Sequence, residues 1–202
     1  MEWFVPAISS IVGALIGGFL AGYFALKATK KAHQNNLLIQ KKNEENVLKG
    51  VLQALHDEIE TLIERYQETV GSHIESLEAG KPFLFYYPIF SDFFTVYNSN
   101  AFLIGKINDN DLRKLLVRTY VLAKGLVDSY QMNNEFIQKY AYWNALFIET
   151  NNEAHKLQSL AYYDALVSYA VTLKQLHNEV KKNANDLLRA LRKQGVLSEI
   201  KT

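Results

Sequence analysis

Residues 48–77 read LKGVLQALHDEIETLIERYQETVGSHIESL. Leu48, Leu52, Leu55, Ile59, Leu62, Tyr66, Val70, His73 and Leu77 recur at intervals of mostly four and three. That period places them on one stripe of a helix, the seam of a bundle or coiled coil, with charge on the opposite side. Gly80 and Pro82 predict its end. No stretch of alternating apolar and polar residues competes with this pattern, and the whole chain has only 3 Pro and 10 Gly. The fold class is therefore all-α.

Two further helices follow. Asn108-Asp109-Asn110 supplies N-cap candidates for a second long helix, whose apolar face runs from Leu112, Leu115 and Leu116 through Leu126 and Tyr130 to Trp143 and Phe147. Thr150-Asn151-Asn152 predicts a break. A third helix carries Leu157, Leu160, Leu166, Leu173, Val180, Leu187, Leu188 and Leu191 and stops near Gly195. Each segment is about 35 to 42 residues, or roughly 50 to 65 Å. Matched lengths and short connections predict an antiparallel bundle of three long helices and one short one, over residues 47–202.

The short helix is expected between Ser91, as N-cap, and Gly105. It lies in the least ordinary stretch of the chain: Phe83, Phe85, Tyr86, Tyr87, Phe90, Phe93, Phe94 and Tyr97 put eight aromatics into fifteen positions. One reading is an aromatic plug filling the end of the bundle. The other is a partner-docking surface or a small-ligand pocket.

N-terminal to the seam, residues 27–46 form a polar, basic juxtamembrane connector. Before them, Trp3–Leu26 contains no charged residue over 24 positions, between Glu2 and Lys27. As a helix this run is roughly 36 Å long, enough to cross a hydrocarbon core of about 30 Å. Residues 1–26 are thus expected to be a single transmembrane anchor, with Pro6 in the first turn and Trp3 and Tyr23 as interfacial aromatics. Lys27, Lys30, Lys31, Lys41 and Lys42 follow with no acid before Glu44. The positive-inside rule then puts the N-terminus outside and the bundle in the cytoplasm, with these lysines as a collar on the membrane surface.

Within the span, Ser9, Gly13, Gly17 and Ala21 recur every fourth residue, and Gly18 and Gly22 belong to the adjacent row. Side-by-side rows of small residues let a second helix backbone approach closely, which predicts a homo-oligomer or a membrane-helix partner.

Sequence features of chemistry are sparse. Net charge is +1, so no nucleic-acid partner is expected. Cys is absent, which excludes thiolate metal sites and thiol nucleophiles. The histidines, at 33, 56, 73, 155 and 177, form no His-x-x-x-His pair and no Glu-x-x-His motif. His56 and Glu60 share a helix face and read as a solvated or hydrogen-bonded pair. The basic C-terminal cluster Lys181, Lys182, Arg189, Arg192 and Lys193 reads first as a solvated face. No catalytic residue, metal or cofactor is expected; the leading expectation is a membrane-anchored interaction protein with a cytoplasmic protein partner.

The run Tyr97-Asn98-Ser99-Asn100, then Ile104-Gly105-Lys106-Ile107, then Leu112 to Tyr120, resembles a pattern found in small bacterial and phage-encoded proteins with one N-terminal membrane helix and a helical domain. The resemblance implies a bacterial inner-membrane location. It also implies, as an alternative function, a phage-defence effector acting at the membrane through abortive infection or superinfection exclusion. It implies no catalytic residue.

Overall fold

In the computed structural model, residues 4–89 and 93–196 are described, with the backbone alone for 4–16. The chain falls into two compact units, Met1–Val47 and Leu48–Thr202. Helix α1, Phe4–Tyr66, belongs to both. The connector expected at 27–46 is therefore helical throughout.

In the first unit every residue from Gly17 to Val47 is exposed. Among the described residues no helix is long and apolar enough to cross a membrane. Of the expected span, only Gly17–Leu26 has described side chains; Trp3, Ser9 and Gly13 lie outside them.

The second unit holds the bundle. The seam read from Leu48 onward does not end at Gly80. After Tyr66 the backbone widens into a π-helical turn, Gln67–Gly71, and closes with α2, Ser72–Glu75. Gly80 lies beyond, at φ +78°, where an L side chain would be strained. Two short helices follow rather than one: α3, Thr95–Ser99, and α4, Ala101–Ile104, interrupted at Asn100. Ser91, the expected cap, lies outside the described residues, and the residue preceding α3 is Phe94, in the left-handed region at φ 68°.

The two remaining helices match their sequence signals. Asp109 caps α5, Asn110–Thr150, accepting from the N–H groups of Asp111 and Leu112 at 3.0 Å. Asn151 ends it in the left-handed conformation, and Asn152 caps α6, Glu153–Lys193. Ring pairs Phe136–Tyr169, Tyr140–Tyr163 and Trp143–His155 climb one helix as they descend the other, so α5 and α6 are antiparallel.

Helix α1 is antiparallel to α6, as Tyr66–His177 and Glu60–Arg192 show. It runs in the same direction as α5, because Glu58 meets Tyr120 and Tyr66 meets Tyr130. The described residues of 76–89 and 93–109 run back along the bundle as a strap. Phe83 lies beside Asn133, Phe94 beside Tyr120, and Ile104 packs in one cluster with Leu112. Among the described aromatics, Phe83 and Phe94 thus lie along α5.

Two buried clusters form the core. One gathers Leu52, Leu55 and Ile59 with Ile104, Leu112, Leu116, Leu187 and Leu191. The other gathers Val70, Ile74 and Phe83 with Leu126, Tyr130 and Leu173. Leu157 and Leu160, read as core from their period, are 65% and 50% exposed. Among the described residues, neither core cluster includes them.

Candidate functional site

The strap is held by side chains that no periodicity reveals. Asn134 brackets Tyr87, its Oδ1 accepting from the Tyr87 N–H at 3.0 Å and its amide donating to the Tyr87 carbonyl at 2.5 Å. Asn133 donates to the Phe83 carbonyl at 3.1 Å. Glu58 reaches from α1 to the start of α3. Its carboxylate accepts from the Val96 N–H at 2.8 Å, the Tyr97 N–H at 3.2 Å and the Tyr120 hydroxyl at 2.7 Å. Phe94 makes no side-chain cap, so this carboxylate satisfies orphan N–H groups where the charge is also favoured. Burial, reinforced by the bond to Glu58, pushes the Tyr120 hydroxyl far above its ordinary range.

Among the aromatics, Phe83 and Phe94 are buried, and Phe85, Tyr87, Phe93 and Tyr97 are partly buried. Tyr86 is 48% exposed, and Phe90 lies outside the described residues. His73 stacks on Phe85, and Tyr97 stacks on Tyr120 with centroids 4.0 Å apart. These rings pack on one another and on the helices beside them.

They also roof a cavity of ≈ 70 Å³. It sits between the two core clusters, with Ile59, Leu62 and Tyr66 on one wall and Ala123, Leu126 and Tyr130 on another. Val180 and Ala184 of α6 close the back, and Tyr87, Phe93 and Phe94 lie over it. Small side chains at Ala123 and Ala184 leave the gap. Forgone packing of this size costs about 2 kcal/mol at the usual price per cubic ångström.

A polar chain runs from the cavity wall to the surface. Glu75 is a carboxylate, held down to about 2 by hydrogen bonds from Lys181 and then from Gln67. The His177 Nε2–H donates to Glu75 at 3.2 Å, which leaves Nδ1 bare to accept from the Tyr66 hydroxyl at 2.7 Å. The Tyr66 oxygen then accepts from the Tyr130 hydroxyl at 3.0 Å. Every donor in the chain finds an acceptor with a neutral imidazole. Burial pushes His177 below its ordinary value, and it pushes Tyr130 up to about 12 and Tyr66 higher still.

A hydroxyl, a histidine and a carboxylate in line have the geometry of an activated nucleophile. Burial drives the Tyr66 phenol far above its ordinary range, so here it serves as a hydrogen-bond donor to His177. The chain acts as a clasp joining α1, α2, α5 and α6 beside the π-helical turn. His177 occupies a seam position between Leu173 and Val180, and that spacing was its sequence signal.

His56, Asp57 and Glu60 bring three potential metal-ligand atoms within 4.8 Å. Arg192 reaches the same place, donating to His56 Nε2 at 3.3 Å and to Glu60 at 2.8 Å. Arg192 thus ties two of the three residues, while His56 Nδ1 faces Asp57 at 3.3 Å. His56 is fully buried and its Nδ1 lies 3.8 Å from Glu60, so of the two expected readings, solvated or hydrogen-bonded, the solvated one fails at His56, and Arg192 joins the pair from α6. Lys181 of the basic C-terminal cluster is likewise paired, with Glu75.

Lys27, Lys30, Lys31, Lys41 and Lys42, expected as a collar on a membrane surface, are all exposed on α1. So are Gly17, Gly18, Ala21 and Gly22 of the small-residue rows, and a Cβ added at Gly17, Gly18 or Gly22 would meet nothing within 4 Å. No protein-family model, curated protein or solved structure matches the chain.

Proposed function

We propose that this is a single-pass protein of the bacterial inner membrane, with its N-terminus outside and its bundle cytoplasmic, that works by holding partners and not by catalysis. The carrying observation is the uncovered apolar surface of α1. Phe19, Phe24 and Leu26 are 78%, 62% and 74% exposed, and Leu20 and Tyr23 about half so. A continuous apolar patch of this kind on a folded chain marks a surface that something else covers. Lipid and a second helix lying on the glycine rows are the covers that suit an uncharged run followed by lysines. A cytoplasmic partner would dock on the bundle.

The chain has no Cys, so single-Cys probes test this cleanly. In spheroplasts, an impermeant maleimide should label Glu2→Cys and reach Glu45→Cys only after the membrane is opened. Labelling of Glu45→Cys in intact cells would overturn the topology. Purification in mild detergent should give a homo-oligomer or a stoichiometric partner, and a bare monomer would count against the docking role. The effector role implied by the resemblance would use the same strip. A phage challenge that leaves growth and membrane potential unchanged, with and without the gene, would remove it.

A further inference from the structure

We infer that the cavity between α1, α5 and α6 is a binding site for a slender aliphatic chain, such as the tail of a single-chain lipid or fatty acid. This does not depend on the membrane anchor, since every lining residue belongs to the bundle. Three observations carry it. First, the space is a built gap: Ala123 and Ala184 face it where the larger residues of a seam would close it, although both core clusters are otherwise well filled. Second, the hydroxyls on its walls are already committed. Tyr66 and Tyr130 bond to each other and to His177, and Thr119 donates to the Leu115 carbonyl at 2.8 Å. These three hydroxyls therefore offer an occupant little, which disfavours water and favours hydrocarbon. Third, the volume is that of roughly five to six water-sized groups in a row, the bulk of a short alkyl tail. Exposed Arg65 stands at the rim, where the polar end of such a molecule would stay in water. Apolar cavities without polar partners stay dry and take up apolar guests.

The test is equilibrium dialysis of the full chain in digitonin, whose rigid steroid body cannot enter and so does not compete. Radiolabelled decanoate and decanol are the probes. The parent should bind both saturably at one site, and Ala123→Leu, which fills the gap, should weaken binding by about tenfold or more. Ala123→Val, a smaller filling, should weaken it less and serves if Leu overfills the core. A phospholipid with two short tails should bind worse than decanol, since only one chain fits. No saturable binding of either probe below about 1 mM would overturn the site. So would equal binding by the parent and both filled variants, which would move any uptake to another part of the molecule.

Discussion

Replacing Tyr66 with Phe removes one oxygen from the middle of the clasp. The Tyr130 hydroxyl loses its acceptor at 3.0 Å and His177 Nδ1 loses its donor at 2.7 Å, with both groups almost fully buried. A buried polar group left unpaired costs about 1–3 kcal/mol, and relief from desolvating the Tyr66 hydroxyl offsets part of this. The net loss should be about 2–3 kcal/mol. His177→Leu alone strands the Tyr66 hydroxyl and should cost a similar amount. In the double variant His177 no longer waits for Tyr66, so the losses should not add. A coupling of about 1–2 kcal/mol is expected. Urea unfolding of all four proteins, followed by far-UV circular dichroism, measures it. Acid supplies a second readout. Burial holds His177 below its ordinary 6.5, so its stabilising share is complete above 6.5 and falls away as pH drops through the lower folded value. Glu75 adds a further loss between 4.5 and about 2. His177→Leu should flatten the first decline and keep the second. Additive single losses, or an unchanged first decline, would refute the clasp.

Three further outcomes follow from the same structure. Glu58→Gln offers one acceptor oxygen where the carboxylate serves Val96, Tyr97 and Tyr120, so it should cost about 1.5–3 kcal/mol in the same urea assay and loosen the strap first. Gly125→Ala places a Cβ in open space inside α5 and should stabilise by about 0.5–1 kcal/mol, raising the thermal midpoint. Gly17→Leu with Gly18→Leu should leave insertion intact and weaken self-association by on the order of 1–3 kcal/mol, or about 5- to 150-fold, read by cross-linking single-Cys probes near Trp3 in native membranes.

Much of the helical framework could be read from local signals. Asp109 and Asn152 announce the starts of α5 and α6, and Asn151 tolerates the left-handed turn between them, because caps are short-range chemistry. The strap was not legible. Its course depends on Asn133, Asn134 and Glu58, each meeting backbone about 40 to 50 residues away in sequence, and no period marks such contacts. The π-helical turn at Gln67–Gly71 was hidden because the apolar spacing through Tyr66, Val70 and His73 stays helical across it. Of the site, the concentration of aromatics between Phe83 and Tyr97 was visible. The cavity beneath it was not, because a hole is set by what faces Ala123 and Ala184 across three helices. Tyr66 was visible only as a seam member and His177 only as one of five histidines without a motif; their partnership is a matter of tertiary register.

Alkaline carbonate extraction of membranes from cells making the full chain tests the anchor most directly. Peripheral proteins held by charge leave the bilayer at high pH, whereas a helix buried in hydrocarbon stays. The chain should sediment with the membranes, and Leu20→Lys with Phe24→Lys, which puts two charges in the span, should release it. Recovery of the parent chain in the carbonate supernatant would contradict the anchor and leave the exposed face of α1 to a protein partner.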